Sequence, residues 1–411
     1  MSFTFEDMKE KIKHGINYGN ALECFDSNVK LSCKHAFDKV DDNGIIHPIV
    51  YEFSAYSGKI DELDPIDNFT VWSIESLWGN PETTKEIIQY YADSGFTAIR
   101  LPVNLWWHRD VTTGETSVRW LEYIRSVVDM VIDAGMFCLI DVHCENYSAI
   151  FKDISSDYTN LDKSKAFDQL LKRWIGLATI LKDIPEDKLA FELLNEFHLG
   201  KSYNDNYGYR EDCAILAKIY SKLINEIRNT GDHNVDRLIG IDGYRADNNI
   251  TAIQIDCFSN LLNDDKIFLC LMAYLMPEFT FCYNESFGKK TFLEGDTLDY
   301  DISRINNGMW GLTDLVKKDY RCIAVEYGTH AYNDFTGTEE EIETYRRGCV
   351  KLTLLESLWC NELGIPAFAW DNGNIIDRSN LSIKTPELYN AIFRIADQEE
   401  IDYLYSIMKK Y

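Results

Sequence analysis

Short apolar runs alternate with longer segments of helical period along almost the whole chain. The runs predict eight strands, near residues 15–19, 97–103, 137–143, 189–195, 237–242, 267–274, 322–327 and 367–370. Between them, PETTKEIIQYYADSG is typical of a helix with Pro81 in its first turn and Gly95 just past its end, and WLEYIRSVVDMVIDAG repeats the pattern with Gly135. Eight strand–helix repeats predict the α/β class and a closed (β/α)8 TIM barrel rather than an open sheet.

Two segments depart from this alternation, residues 24–70 within the first strand–helix unit and residues 278–306 after the sixth strand. Long loops at the carboxyl ends of barrel strands often shape a binding cleft, although a structural insertion fits equally well. No internal repeat and no Pro/Gly/Ser linker divides the chain. Residues 1–411 are therefore predicted to form a single (β/α)8 domain with enlarged loops at its C-terminal face.

The charge balance narrows the ligand class. The chain has 41 Lys and Arg against 67 Asp and Glu, a formal net charge of -26, which repels nucleic acid and anionic membranes. A neutral ligand is compatible with this charge. Residues 1–20 lack an apolar signal region, and the eleven cysteines include no C-x-x-C pair, so reduced thiols are expected. Secreted and intracellular locations both stay open, and the oligomeric state is not predicted.

Carboxylates lie at the ends of two predicted strands. FELLNEFH ends the fourth strand on Asn195 and Glu196, and CIAVEYGTH puts Glu326 near the end of the seventh. Strand ends of one barrel meet at its mouth, and a facing carboxyl pair is what glycoside hydrolysis needs, one group to protonate the leaving oxygen and one to attack or to activate water. Acidic residues are also common at loop starts in so acidic a chain, which is the alternative.

Three other strands carry residues that barrel packing does not require. Arg100 lies within the apolar run GFTAIRLPV, where a buried guanidinium needs an anion and would keep a nearby carboxylate ionised. His143 ends the third strand and Trp370 the eighth, where an indole suits stacking under a sugar ring. A satisfied core histidine and a core tryptophan are the alternatives for each alone. Their joint occurrence favours a sugar site.

These motifs together resemble glycoside hydrolase family 5, barrel enzymes that include many bacterial cellulases. The resemblance runs from about His14 to Asn374, apart from residues 24–70 and 283–306, and rests on GINYGNALE, ESLWGNPETTKEII, GFTAIRLPVNLWW, LIDVHCENY, FELLNEFH, AYLMPEFTF, VEYGT and FAWDNG in the family's order. It implies a retaining mechanism with Glu196 as general acid/base and Glu326 as nucleophile. It further implies that Asn195 binds the sugar 2-hydroxyl, that Arg100 and Tyr274 orient Glu326, that His143 holds the first sugar and that Trp370 forms the floor beneath it.

The chain departs from the family pattern at three positions. Met272 replaces a histidine two residues before the tyrosine, Phe197 replaces a proline, and Val325 replaces a glycine, so a bulkier barrel top is expected. A thioether neither donates a strong hydrogen bond nor carries charge. His198 and His330, each just past a strand that carries a candidate glutamate, are the candidates to replace the missing histidine.

Two functions remain open at this point. The first is endo-acting hydrolysis of a neutral β-1,4-linked polysaccharide, with glucan, mixed-linkage glucan, xyloglucan and mannan undecided and with Trp78, Trp106, Trp107 and Trp310 as candidate stacking platforms. The second is a catalytically impaired, carbohydrate-binding barrel, which Met272 suggests. No H-x-x-x-H or similar spacing indicates a metal site, and neither a metal nor a cofactor is expected.

Overall fold

The computed structural model describes residues 2–24, 78–106, 113–143, 161–197, 209–282, 292–293, 298–330 and 332–408, together with four short strands between residues 31 and 53. These short strands pair antiparallel, Leu31–Cys33 with Tyr51–Phe53 and Lys39–Val40 with Ile46–His47. They fall within the predicted insertion at 24–70, most of which lies outside the described residues.

Eight parallel strands close into a barrel, which confirms the predicted fold class. In chain order they are β1 Gly15–Tyr18, β2 Ala98–Val103, β3 Phe137–Val142, β4 Leu189–Glu192, β5 Ile239–Asp242, β6 Ile267–Met272, β7 Cys322–Tyr327 and β8 Ala367–Asp371. Each strand pairs with the next, and β8 pairs with β1. The predicted fourth and sixth strands end earlier than expected, so Asn195 and Tyr274 follow the strands rather than end them.

The helices follow the strands around the barrel. The α-helices are α1 Phe5–Lys11, α2 Lys85–Asp93, α3 Val118–Asp133, α4 Lys165–Leu181, α5 Arg210–Asn229, α6 Asn248–Ile253, α7 Ser259–Leu262, α8 Pro277–Thr280, α9 Leu298–Lys317, α10 Glu339–Glu362, α11 Pro386–Ile392 and α12 Gln398–Met408. Single turns of 3-10 helix cover Leu161–Lys163, Asp232–Val235, Tyr244–Ala246 and Ile255–Cys257. Two further strands, Ile376–Asp377 and Ser382–Ile383, form a hairpin after β8.

Local sequence sets the ends of α2 and α3. The Thr84 side chain accepts the Ile87 N–H and caps α2, so the placement of Pro81 in its first turn was wrong: Pro81 precedes the cap. Gly95 and Gly135 follow the two helices with φ of 91° and 84°, a backbone conformation that favours glycine. Their predicted role as helix terminators is confirmed.

Two apolar layers hold the barrel together. Alternate strand residues point outward against the helices, and the intervening ones point into the barrel. At the N-terminal end of the strands, α1 closes the barrel with Phe5, Met8 and Ile12, which pack with inward residues such as Phe137 and Phe268. Apolar packing therefore fills the lower barrel, and the polar inward residues collect near the mouth.

No disulfide joins the nine cysteines whose side chains the structure describes, and seven of them are buried, which agrees with the expected reduced state. Among the described residues, the longest helices contain too few apolar side chains to cross a membrane.

Candidate active site

Arg100 occupies the centre of the barrel mouth. Ala98 and Arg100 of β2 both point inward because side chains alternate along a strand. The fully buried guanidinium donates from Nη1 to Glu326 Oε1 at 2.7 Å, and from Nε and Nη2 to the two Glu192 oxygens at 2.7 and 2.6 Å. Burial alone would lower the pKa of Arg100, but the surrounding carboxylates, Asp141 among them, more than offset burial and raise it. Arg100 is therefore a permanent positive charge beside Glu326.

A β-bulge turns Glu326 toward Arg100. Along β6, Leu271 pairs with Ala324 but the next residue, Met272, pairs with Glu326, so β7 carries one extra residue at this point. The register of β7 against β8 shifts over the same residues. Val325 packs in the barrel interior, and simple alternation would then point Glu326 outward, yet both residues reach inward. The bulge therefore makes the carboxylate available at the mouth.

Glu326 is buried and has two donors. Besides Arg100 on Oε1, the Tyr274 hydroxyl donates to Oε2 over 3.0 Å. Burial raises the pKa of Glu326, and the positive charge of Arg100 opposes this rise. Burial and the nearby carboxylate also raise the pKa of Tyr274 far above its ordinary value, so its hydroxyl remains a donor. Glu326 is thus a fixed, directed carboxylate.

Glu196 lies in the turn after β4. Its backbone φ of 47° is left-handed, an unusual conformation for a glutamate, and its N–H donates to Asp242 Oδ2 over 3.1 Å. The residue is exposed to solvent at the mouth, yet neighbouring protein atoms surround its carboxyl group closely enough to desolvate it. That surrounding protein, and after it the negative charge of Glu326, raise the pKa of Glu196 to about 7. Glu196 can therefore hold a proton at neutral pH while Glu326 is ionised.

The hydrogen bonds around Asn195 define the tautomer of His143. Arg100 only donates, so the Asn195 Oδ1 atom faces Arg100 at 2.9 Å and the amide nitrogen faces His143 Nε2 at 3.3 Å. Nε2 must then accept, which places the proton on Nδ1, 2.6 Å from Asp141 Oδ2. Burial lowers the pKa of His143, in agreement with a neutral ring. His143 and Asn195 are thus fixed beside the two glutamates.

His330 contacts Tyr274 and Trp370. Its Nε2 atom is in short contact with the Tyr274 hydroxyl. The hydroxyl proton is directed at Glu326, so His330 must supply the N–H of this contact. Burial lowers the pKa of His330 to about 3, so the ring is neutral. The ring also lies nearly parallel to the Trp370 indole, with centres 5.1 Å apart.

The position of the Trp370 ring requires a glycine at residue 19. A Cβ atom on Gly19 would lie 2.5 Å from the Trp370 ring, so only glycine fits there. The indole is 6% exposed, and His330 lies against one of its faces. A sugar ring can therefore stack only on the part of the indole that His330 leaves uncovered.

A model described as cellulase (glycosyl hydrolase family 5) matches residues 61–375, which is more than half of the chain. The chain belongs to glycosyl hydrolase family 5. The resemblance noted in the sequence is thereby confirmed.

The relatives within family 5 are distant. Cellulase/esterase CelE of Acetivibrio thermocellus is 28% identical over 342 residues, 80% of this chain and 38% of that protein. The chain spans 38%, 64% and 59% of the length of three curated relatives that it matches. A broad specificity endoglucanase from Clostridium longisporum has a TM-score of 0.70 at 19% identity, covering 96% of this chain and 98% of that one. A xyloglucanase from Bacteroides ovatus gives 0.68 at 19%, covering 95% and 76%. These structures share the family 5 fold.

Several sequence-predicted residues meet at one place. Contacts connect Arg100, His143, Asn195, Tyr274, Glu326 and Trp370 around the mouth, with Glu196 beside them. Their individual roles stay predictions. Met272 packs in the apolar barrel interior, and His330, one of its two candidate replacements, lies at Tyr274. The other, His198, lies outside the described residues.

The predicted tryptophan platforms are spread over the molecule. Trp310 is 47% exposed on α9, a helix of the outer ring, and Trp78 is exposed after the insertion. Trp106 lies just past β2, where the Arg173 guanidinium stands over its ring at 5.3 Å. Trp107 lies outside the described residues. The mouth therefore has Trp106 near it, whereas Trp310 belongs to the outer surface.

Sequence reasoning missed a group of carboxylates beneath the mouth. Glu192 and Asp242 are the last residues of β4 and β5, Asp141 is the last but one of β3, and all three are fully buried. Burial raises the pKa of Asp141 and of Glu192 to about 7, and that of Asp242 well above its ordinary value. The signal that identified Arg100, a charged residue inside an apolar run, was present for each of them. Asp141 and Glu192 contact the Arg100 guanidinium at 2.9 and 2.6 Å, and the negative charge of Glu192 adds to the rise in the pKa of Asp242.

One set of side chains among the described residues lies close enough to hold a metal ion, Glu192, Asp242 and Cys270, with ligand atoms within 4.8 Å of one another. Both Glu192 oxygens already accept from Arg100, and burial raises the pKa of the Cys270 thiol well above its ordinary value. Metal ligands must be deprotonated and free of a competing cation. The set therefore does not fit a metal ion.

Proposed function

We propose that this chain is a retaining, endo-acting glycoside hydrolase of neutral β-1,4-linked glucans. The observation that carries the proposal is the unequal pair at the mouth. Glu326 is held by Arg100 and Tyr274, whereas the pKa of Glu196 is raised to about 7, partly by the charge of Glu326. Two carboxyl groups with opposite protonation states are what acid-assisted attack on a glycoside requires.

The first step of the proposed reaction forms a covalent intermediate. Glu326 attacks the anomeric carbon and forms an ester, while the glycosidic C–O bond breaks and the leaving oxygen takes the proton of Glu196. Arg100 and Tyr274 orient the attacking oxygens, and His143 and Asn195 lie where they can bind the sugar hydroxyls. In the second step Glu196 removes a proton from water, the water oxygen bonds to the anomeric carbon, and Glu326 leaves as a carboxylate.

The substrate class rests on charge and on similarity. A chain with net charge -26 and a mouth rich in carboxylates favours a neutral sugar polymer over an acidic one. Similar proteins are named as a cellulase/esterase, a broad specificity endoglucanase and a xyloglucanase in complex with a XXXG heptasaccharide. A β-linked glucan backbone, plain or xylose-branched, is the substrate we propose.

The second candidate, a carbohydrate-binding barrel without turnover, is favoured by Met272 alone. The contact of His330 with Tyr274 weakens that argument, because Tyr274 keeps a histidine partner despite Met272.

One assay separates the two candidates. The purified protein is incubated with soluble β-glucan, mixed-linkage glucan, xyloglucan and mannan, and the release of reducing ends is followed for the wild type, Glu326→Gln and the control Glu186→Gln. Glu186 precedes β4, at the end of the barrel opposite the mouth, where it contacts His233. Release on a glucan that is lost in Glu326→Gln and kept in the control supports hydrolysis. Binding without release by the wild type would support the second candidate.

A further inference from the structure

A buried carboxyl group on α10 accepts hydrogen bonds from the backbone just past two strands of the site, β6 and β7. Glu356 is completely buried; its Oε1 accepts the backbone N–H of Leu275 and its Oε2 that of Gly328, both over 2.8 Å. Leu275 directly follows Tyr274, and Gly328 lies two residues after Glu326. One side chain thus fixes the backbone on either side of the Tyr274–Glu326 hydrogen bond.

The two Glu356 hydrogen bonds lie just past the point where the pairing between β6 and β7 ends. The β7 bulge disrupts the regular pairing, and the Ala273 N–H still donates to the Glu326 carbonyl over 2.9 Å. Past that bond, the amides of Leu275 and Gly328 donate to Glu356 instead of to a neighbouring strand. Buried N–H groups need acceptors. The carboxyl oxygens of Glu356 supply them for these two amides, at the point where the bulge ends the pairing of the strands.

We propose that Glu356 is a positioning residue for the nucleophile: by holding the ends of β6 and β7 in one register, it sets the direction of Glu326 and of Tyr274. This inference rests on the proposed function, since it assigns Glu356 a role in the attack by Glu326. Glu356 acts through the backbone and does not touch the substrate. Arg100 and Tyr274 contact the Glu326 carboxylate itself, whereas Glu356 contacts the backbone that follows its strand, β7.

Glu356→Gln tests this role with little change in volume. A glutamine has one acceptor oxygen and an NH2 group that only donates, so one of the two backbone amides would face another donor. That strand end must shift, and a small misplacement of an attacking group reduces the rate strongly. We expect kcat on the preferred glucan to fall about 10- to 100-fold, with KM within about twofold because the sugar contacts remain.

Thr353→Val is the matched control. Thr353 is buried on the same helix, one turn before Glu356, and its hydroxyl donates within the helix to the Cys349 carbonyl. The control should lower the melting temperature and leave kcat unchanged. A Glu356→Gln variant that loses melting temperature but keeps wild-type kcat would overturn the inference, because Glu356 would then only stabilise the fold.

A second measurement does not depend on activity or on the variant folding. Amide hydrogen exchange of the wild type, resolved to single residues, should show Leu275 and Gly328 protected as strongly as the strands they follow. Fast exchange at both amides would overturn the inference. A wild type that cleaves no glycan while both amides are protected would instead count against the proposed function, so the two failures are distinguishable.

Discussion

Replacing Tyr274 with phenylalanine removes one hydroxyl that connects Glu326 with His330. The hydroxyl donates to Glu326 Oε2 over 3.0 Å and is in short contact with His330 Nε2, and Glu326 is 4% exposed. A hydrogen bond to a charged group contributes about 1.5–3 kcal/mol. Each 1.36 kcal/mol of lost transition-state stabilisation is a factor of about ten in rate, so kcat/KM should fall about 10- to 150-fold.

The pH dependence provides a second, directional test of the same variant. The Tyr274 hydroxyl favours the ionised form of Glu326, so its removal should raise the pKa of that carboxylate. The acidic limb of kcat/KM should then move to higher pH, because Glu326 must lose its proton before it can attack. The assay is release of reducing ends across pH on the glucan that the wild type prefers.

Tyr389→Phe is the matched control. Its hydroxyl donates to the Ser94 carbonyl over 2.7 Å in the outer helical layer, away from the mouth. This variant should lose stability and keep wild-type kcat/KM and pH profile. If Tyr274→Phe also keeps kcat/KM within about twofold, with its acidic limb unmoved, then Tyr274 does not orient Glu326.

Three other changes probe Glu196 and Met272. Glu196→Gln should slow hydrolysis of polysaccharide by orders of magnitude but release a dinitrophenol leaving group in a burst, because a good leaving group needs no acid; equal losses on both substrates would contradict the role of Glu196. The alkaline limb of the wild-type kcat/KM profile on polysaccharide should lie near the raised pKa of Glu196, about 7, since the proton that Glu196 donates is held below that pH and lost above it; a dinitrophenyl glycoside, which needs no acid, should lack this limb, and the same limb on both substrates would contradict the assignment. Met272→His should not raise kcat, because His330 already contacts Tyr274 and Met272 packs in apolar surroundings; a several-fold gain in kcat would show that the methionine impairs the enzyme.

The sequence predicted the barrel because its evidence is local and repeated. Apolar runs of strand length, glycines after helices and residues such as Arg100 inside apolar runs are all visible along one stretch of chain. The placement of Glu196 and Glu326 at one mouth followed from the fold, since parallel barrel strands end on the same face. Pro81 was misplaced because a threonine cap three residues later competes with it for the helix start.

The remaining features depend on pairing between distant segments. The bulge that turns Glu326 inward is defined by register against β6 and β8, and no local pattern in CIAVEYGTH indicates it. Glu356 lies 30 positions after Glu326, in a helix whose period shows only that it is buried, and its two amide partners come from other elements. Asp141 was visible as a charged residue inside an apolar run, but the guanidinium that contacts it, that of Arg100, belongs to another strand.

Trapping the covalent intermediate tests most directly whether Glu326 is the nucleophile. The wild type is incubated with an activated 2-deoxy-2-fluoro cellobioside, which slows both steps and lets the ester accumulate, and the labelled peptide is identified by mass spectrometry. With Glu326 as the nucleophile, we expect one added disaccharide, on Glu326, and none in Glu326→Gln. Label on another residue, or turnover of the activated glycoside by Glu326→Gln at the wild-type rate, would contradict Glu326 as the nucleophile.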